Sequence, residues 1–313
     1  MRVVAVPDDS PAVLGLSPSL ARLRAEASVR YHDTLPGTEE VLTERLRDAE
    51  AVVNIRSSTK LTREVLSHCP ALKLVSIWGT GTDHVDLEAA RALGIRVTNT
   101  PAVAASSIAE HALALMLAVA RRAPAMDRRV RAGEWPRGGM VQLNGKTLGV
   151  IGLGEIGRRF ARLGEAIGMH VVTWTMHPKP ELGFAHVALE ELLAQSDVVS
   201  LHLRLSEQTR GFLDEARLRS MKPGAILVNT ARGPLVEEAA LLEALGKGRL
   251  AGAGLDVFDV EPLPAGHPLT AMENVVLSPH SAGITPEALE AGLAMAVDNV
   301  LAFFEGEARH VVA

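Results

Sequence analysis

Gly152, Gly154 and Gly157 stand in the spacing Gly-x-Gly-x-x-Gly, directly after the apolar run Thr147-Leu148-Gly149-Val150-Ile151 and ahead of a helical stretch over 155–168. Each glycine has its own physical duty: a tight turn, a bare backbone that a pyrophosphate can approach, and close packing of helix on strand. The amino end of the helix, with unpaired N–H groups and a positive dipole end, then favours an anion. With Glu155 and Ile156 inside the turn, this predicts a bound dinucleotide. Three more residues follow short strand-like runs: Arg232 in Asn229-Thr230-Ala231-Arg232-Gly233, Glu261 shortly after Asp256-Val257, and His280 in Ser278-Pro279-His280. They offer a planar fork for a carboxylate or carbonyl, an acid able to orient an imidazole, and an imidazole that exchanges a proton near neutrality. In an open α/β sheet the carboxyl ends of the strands face the ligand crevice, so all three are expected to converge on the nicotinamide.

These residues need strands to carry them. Over the first hundred residues, strand-like runs at 3–6, 28–31, 51–55, 72–77 and 95–98 alternate with helical stretches at 20–26, 38–48, 62–68 and 87–93. Such alternation builds a parallel sheet covered on both faces. A long Ala- and Leu-rich helix is expected over 106–132, apolar on most sides in its first half, as suits burial between domains or subunits. Strands at 148–151, 170–174, 198–203, 225–229, 252–257 and 275–278 follow, six in all, enough for a dinucleotide-binding sheet. The last helix, 286–304, has no domain of its own to cover and should dock on the amino-terminal one. The expected fold is therefore α/β with two doubly wound parallel-sheet domains. A Rossmann-type cofactor domain, 100–283, is inserted in a flavodoxin-like substrate domain, 1–99 and 284–313, with chain crossings near Thr100 and Gly283 that can act as a hinge.

Composition narrows the partners. At 313 residues, 47% hydrophobic and 22% charged, the chain has ample core material, and a net charge of -5 offers no footprint for nucleic acid or an anionic membrane. Arg121, Arg122, Arg128, Arg129 and Arg131 cluster, but Asp127 and Glu134 sit among them, so a solvated helix face or subunit contact is expected. Cys69 is the single cysteine, which excludes an intrachain disulfide and fits a reducing cytoplasm. The amino terminus reads as a strand rather than a signal peptide, and 111–120 is too short to span a bilayer. No group of histidines and carboxylates has metal-ligand spacing, so no metal is expected. His111 reads as a core or interface histidine.

With the glycine turn and the Arg, Glu and His segments, Gly79-Thr80-Gly81-Thr82-Asp83-His84-Val85-Asp86 and Ala109-Glu110-His111 complete a set that resembles the D-isomer-specific 2-hydroxyacid dehydrogenase family over nearly the whole chain. The resemblance implies an NAD(P)-dependent oxidoreductase that interconverts a 2-keto acid and its D-2-hydroxy acid. In it His280 is the acid–base, Glu261 orients the ring, and Arg232 binds the substrate carboxylate or the adjacent carbonyl. It further implies backbone N–H groups of Thr80 and Gly81 on the carboxylate, Arg56 and Ser57 at the pocket edge, and Asp256 accepting from the nicotinamide amide. Thr80, Thr175, Leu203, Thr230, Ala231 and Gly283 join the glycine turn, Arg232 and His280 around the cofactor. A homodimer through the 106–132 region is also implied.

Two departures refine the expectation. Where an acid should grip the ribose 2′-hydroxyl of NAD, at the end of the 170–174 strand, Thr175 stands, and His177 and Lys179 could attract a 2′-phosphate. Both NAD and NADP are therefore expected to serve. Ile77 and Trp78 replace the arginine of phosphoglycerate-oxidising relatives, and no regulatory extension follows the last helix. Formate-oxidising relatives lack the glutamate, and phosphite-oxidising ones carry a lysine at the position of Thr80. A small substrate of the glyoxylate or hydroxypyruvate type remains. The competing expectation is an NAD(H)-sensing, co-repressor-like binding protein on the same fold. An amino-acid dehydrogenase would need a lysine- or aspartate-based site that the strand ends do not offer.

Overall fold

A computed structural model of the chain describes residues 2–178 and 180–313. The expectation placed on Lys179 lies outside the described residues. The chain divides into two compact units, Met1–Ala104 with Ile284–Ala313, and Ala105–Gly283.

In chain order the first unit holds β1 (Val3–Val6), α1 (Pro18–Glu26), β2 (Ser28–Tyr31), α2 (Glu39–Leu46), β3 (Ala51–Asn54), α3 (Arg63–Ser67), β4 (Leu74–Ile77), α4 (Leu87–Ala92) and β5 (Arg96–Thr98). The second holds α5 (Ala105–Ala120), α6 (Ala123–Arg131), β6 (Thr147–Ile151), α7 (Glu155–Ala166), β7 (His170–Trp174), β8 (Ala185–His186), α8 (Leu189–Gln195), β9 (Val198–Leu201), α9 (Glu215–Ser220), β10 (Ala225–Asn229), α10 (Glu238–Gly246), β11 (Leu250–Leu255) and β12 (Val275–Leu277). The chain returns to the first unit with α11 (Pro286–Phe304).

The first unit is a five-stranded parallel sheet in the order β2-β1-β3-β4-β5, the flavodoxin-like arrangement. β3 and β4 are buried at every residue, as strands covered on both faces must be. One face packs Val4, Val6, Val53 and Leu74 against Leu293, Val297 and Val300 of α11. Thr285 caps that helix through the Ala288 N–H, and Pro286 occupies its first turn, where a missing donor costs nothing.

The second unit is a parallel sheet in the order β12-β11-β10-β9-β6-β7-β8, a Rossmann order with its reversal between β6 and β9. It has seven strands rather than six. The extra one, β8, pairs only Ala185 and His186 with Val172 and Thr173 of β7, too short a segment to leave an alternating pattern in the sequence. The helix expected over 106–132 is also corrected. It is two helices, broken at Arg122, which adopts left-handed backbone (φ 52°), with Pro124 in the first turn of α6. Proline lacks the N–H that an uninterrupted helix would need there.

Candidate active site

Each candidate side chain of the second unit sits past the carboxyl end of a strand. After β6 the chain turns at Gly152 (φ +96°), where a Cβ would lie 2.6 Å from the His202 carbonyl oxygen. A Cβ on Gly157 would lie 2.0 Å from the Gly152 oxygen, whereas Gly154 faces open space. Two positions of the turn thus admit glycine for packing, and the third leaves the amino end of α7 bare. Glu155, the first residue of α7, is ion-paired with Arg158 one turn on, which offsets a carboxylate placed where an anion should be held. The His202 ring, past β9, packs on Phe160 with centroids 5.2 Å apart, and burial pushes its pKa down to about 3, so it stays neutral. Leu203 follows it. Past β10, the buried hydroxyl of Thr230 has no hydrogen-bond partner among the described residues. A bare glycine turn after β6 and an orphaned hydroxyl after β10, at the carboxyl ends of two strands with β9 between them, fit a pyridine dinucleotide. Thr175, half-buried, directly follows β7.

Arg232 is presented by a loop that Asn229 braces at both ends, donating to the Arg232 carbonyl (2.8 Å) and accepting from the Ala231 N–H (3.0 Å). Its guanidinium donates to the Ala231 carbonyl at 2.8 Å. At Gly233 a Cβ would fall 2.0 Å from the carbonyl carbon of Phe258. Only a glycine lets the Arg232 loop lie so close to the loop carrying Glu261.

Both oxygens of Glu261 are engaged. Oε1 accepts from the Phe258 N–H (3.0 Å) and Oε2 lies 2.6 Å from His280 Nδ1. Burial alone would push the Glu261 carboxyl up, but the His280 hydrogen bond and charge, the Phe258 N–H and the positive Arg232 together hold it below the ordinary carboxylate range. An ionised carboxylate only accepts, so the proton of this bond is on Nδ1, and Nε2 is the ring atom left for proton exchange.

His280 has left-handed backbone (φ 51°), a costly state for a residue with a Cβ. Asp256 accounts for its persistence. The fully buried carboxylate accepts from the N–H groups of Ser281 and Ala282, both at 2.9 Å, and from the Ser278 hydroxyl. The Asp256 carbonyl takes the His280 N–H at 2.7 Å. His111 Nε2 lies 2.7 Å from Ser278 Oγ and 3.5 Å from Asp256. Sequence reading gave Asp256 only a cofactor contact, left His111 as a core or interface residue, and assigned Ser278 no role. The Ala109-Glu110-His111 signature was the one available hint.

The first unit holds the other candidates. Arg56 follows β3; its N–H donates to Asp8 Oδ2 (2.9 Å), its guanidinium donates to the Pro11 carbonyl, and it lies 5.9 Å from the Trp78 ring. Ser57 Oγ has no recorded partner among the described residues, while its carbonyl accepts from Lys60 Nζ at 3.0 Å. Past β4, the Gly79 carbonyl accepts from the Thr100 N–H (3.0 Å) and the Thr80 carbonyl from Asn99 Nδ2 (2.9 Å).

Residues 113–282 match the NAD binding domain of the D-isomer specific 2-hydroxyacid dehydrogenases. A glyoxylate reductase of Aeropyrum pernix is 43% identical over 285 residues, 87% of this chain and 85% of that one. The TT0316 protein of Thermus thermophilus superposes over 100% of both chains with a TM-score of 0.91 and 41% identity. A glyoxylate reductase from Paecilomyes thermophila superposes over 99% of this chain and 98% of its own, TM-score 0.91, at 32% identity. The chain belongs to the D-isomer-specific 2-hydroxyacid dehydrogenase family. It is an NAD(P)-dependent oxidoreductase, a 2-keto acid reductase acting on a small molecule. Among the described residues no helix is long and apolar enough to cross a membrane.

Proposed function

We propose that the chain reduces a small 2-keto acid of the glyoxylate or hydroxypyruvate type to its D-2-hydroxy acid, with His280, Glu261 and Arg232 as the catalytic residues. The observation that carries this is the 2.6 Å bond from His280 Nδ1 to Glu261, which holds the ring with Nε2 available. The Arg232 fork binds the substrate carboxylate and polarises the neighbouring carbonyl. A nicotinamide, when bound, would supply the hydride that C2 gains. The imidazolium of His280 gives its Nε2 proton to the carbonyl oxygen as that oxygen gains charge, and Glu261 stabilises the imidazolium beforehand. In the oxidative direction the neutral ring takes the proton back. In the first unit, the Thr80 and Gly81 N–H groups are proposed for the carboxylate, with Arg56 and Ser57 as further substrate residues. The small substrate is supported by the glyoxylate reductases among the relatives.

Around the cofactor we assign Gly152, Gly154, Glu155, Ile156, Gly157, Thr175, Leu203, Thr230, Ala231, Asp256 and Gly283, with Thr80 from the first unit. Thr175 neither grips a 2′-hydroxyl as an acid would nor repels a 2′-phosphate, so both NADH and NADPH serve. Assays of a panel of 2-keto acids with each cofactor test the reading. Turnover of glyoxylate or hydroxypyruvate with both is expected. Tight cofactor binding without turnover of any 2-keto acid would overturn it in favour of a sensor.

A homodimer is part of the same proposal. In and just past the 106–132 region Val130, Trp135, Met140 and Val141 are exposed, Trp135 at 74%, apolar side chains that a second copy would cover.

A further inference from the structure

We propose that Asn99, Asn299 and His310 form a positioning relay that aims the Thr80 and Gly81 N–H groups at the substrate carboxylate; the inference rests on the carboxylate reading of that loop given above. In a trans peptide the C=O and the following N–H point in opposite directions, so holding the carbonyl aims the N–H. The peptide joining Gly79 to Thr80 is held by the Thr100 N–H on the Gly79 carbonyl (3.0 Å). The peptide joining Thr80 to Gly81 is held by Asn99 Nδ2 on the Thr80 carbonyl (2.9 Å). Thr100 Oγ1 also accepts the Gly79 N–H at 2.7 Å. The two N–H groups opposite these carbonyls, those of Thr80 and Gly81, meet no acceptor among the described residues. Two consecutive donors left open while their carbonyls are locked make an anion-binding concavity.

Asn99 is itself held from far along the chain. Asn299 of α11, 1% exposed, donates to the Asn99 carbonyl at 3.0 Å, and its own Oδ1 lies 2.9 Å from His310 Nδ1. The His310 carbonyl takes the Asn99 N–H at 3.2 Å. The segment bearing His310 adds antiparallel to the edge strand β5, with Thr98 bridged to Val311 and the Val97 N–H given to the Ala313 carbonyl at 2.8 Å. A buried asparagine whose donor and acceptor are both spent on this chain contributes geometry, and what it fixes is Asn99, whose side chain in turn holds the Thr80 carbonyl.

The test separates positioning from bulk structure. Asn99→Ala, Asn299→Leu and the exposed-site variant His310→Ala are compared with the parent enzyme for glyoxylate KM and kcat, NADH Kd, and calorimetric binding of oxamate to the NADH complex. Expected in Asn99→Ala and Asn299→Leu are an increase of about tenfold in KM and a parallel weakening of oxamate, the size of one lost hydrogen bond to a charged group, with NADH Kd unchanged. His310→Ala, at an exposed position, should move the same two quantities in the same direction by less. Unchanged KM and oxamate affinity in the folded variants overturn the relay. Gly81→Pro, which deletes one N–H, identifies the level of any failure. If it raises KM while the relay variants do not, the carboxylate reading stands and the relay falls; if it leaves KM unchanged, both fall.

Discussion

Glu261 owes its lowered pKa to the imidazole it holds, and that coupling has two measurable faces. A carboxyl whose folded value lies below its unfolded one adds stability above the unfolded value and loses it as pH falls through the folded value. The parent protein should therefore lose an increment of melting temperature in acid, below the ordinary carboxylate range, and Glu261→Gln should lack that increment. In catalysis the same substitution replaces the ionised partner that holds the His280 ring, so kcat for reduction should fall while NADH Kd stays unchanged. An unchanged kcat would show that the pair is not part of the proton path. Asp256 is the second residue whose effect is specific. Asn in its place turns one accepting oxygen into a donor that faces either the Ser281 N–H, now held by Oδ1, or the Ala282 N–H, now held by Oδ2, at a cost of about 1–3 kcal/mol. Thermal melting should register that loss, and kcat should fall because the turn bearing His280 loosens. Arg232, Glu261 and His280 could be picked out of the sequence as candidates because they lie past strand ends, Arg232 and His280 three residues beyond β10 and β12 and Glu261 six beyond β11. The Asp256 bonds were not, since they depend on a turn whose left-handed residue is a histidine rather than the glycine or asparagine that marks such turns.

At the scale of elements, alternation of apolar runs with amphipathic ones was enough to find nearly every strand, because a parallel strand buried on both faces leaves a continuous Val, Ile and Leu signature. Two features escaped it. β8 is too short to have a period, and the helical pattern of α5 runs on into α6 even though the composition turns from Ala- and Leu-rich to Arg-rich. Pro124 carried the signal for the break, though its missing N–H is harmless once a new helix starts there. Arg122→Gly should relieve the left-handed strain at that junction and stabilise the protein by roughly 0.5–1 kcal/mol in chemical denaturation. A destabilised variant would mean that the Arg122 side chain, 3.7 Å from Glu273, outweighs its backbone. Gly233→Ala is expected to act in the other direction. Its Cβ would meet the Phe258 carbonyl, so the loops bearing Arg232 and Glu261 must separate. A displacement of about 1 Å at reacting groups costs about 10²-fold, so kcat should drop by that order while the cofactor still binds.

For the whole molecule, one chain visits the five-stranded unit twice and the seven-stranded unit once, a division of labour in which cofactor chemistry and the proposed anion loop belong to different sheets. On the proposed reading, cofactor choice lies with Thr175 after β7 of the seven-stranded unit. Thr175→Asp should raise the NADH-to-NADPH ratio of kcat/KM by tenfold or more, on the order of the 1.4 kcal/mol that a gained hydrogen bond and a repelled phosphate represent. An unchanged ratio would place cofactor selection elsewhere. Association belongs to this scale too: sedimentation should show a species of twice the chain mass, and a monomer at all concentrations would refute the dimer.

The proposed proton donor is tested most directly by single-turnover reduction of glyoxylate with pre-bound NADH, comparing the parent enzyme with His280→Ala. General acid catalysis contributes roughly 10²–10⁴-fold, so the variant should bind NADH with unchanged Kd and oxidise it slower by that factor. A variant that retains the parent rate would contradict the assignment of His280, and with it the catalytic role proposed for Glu261.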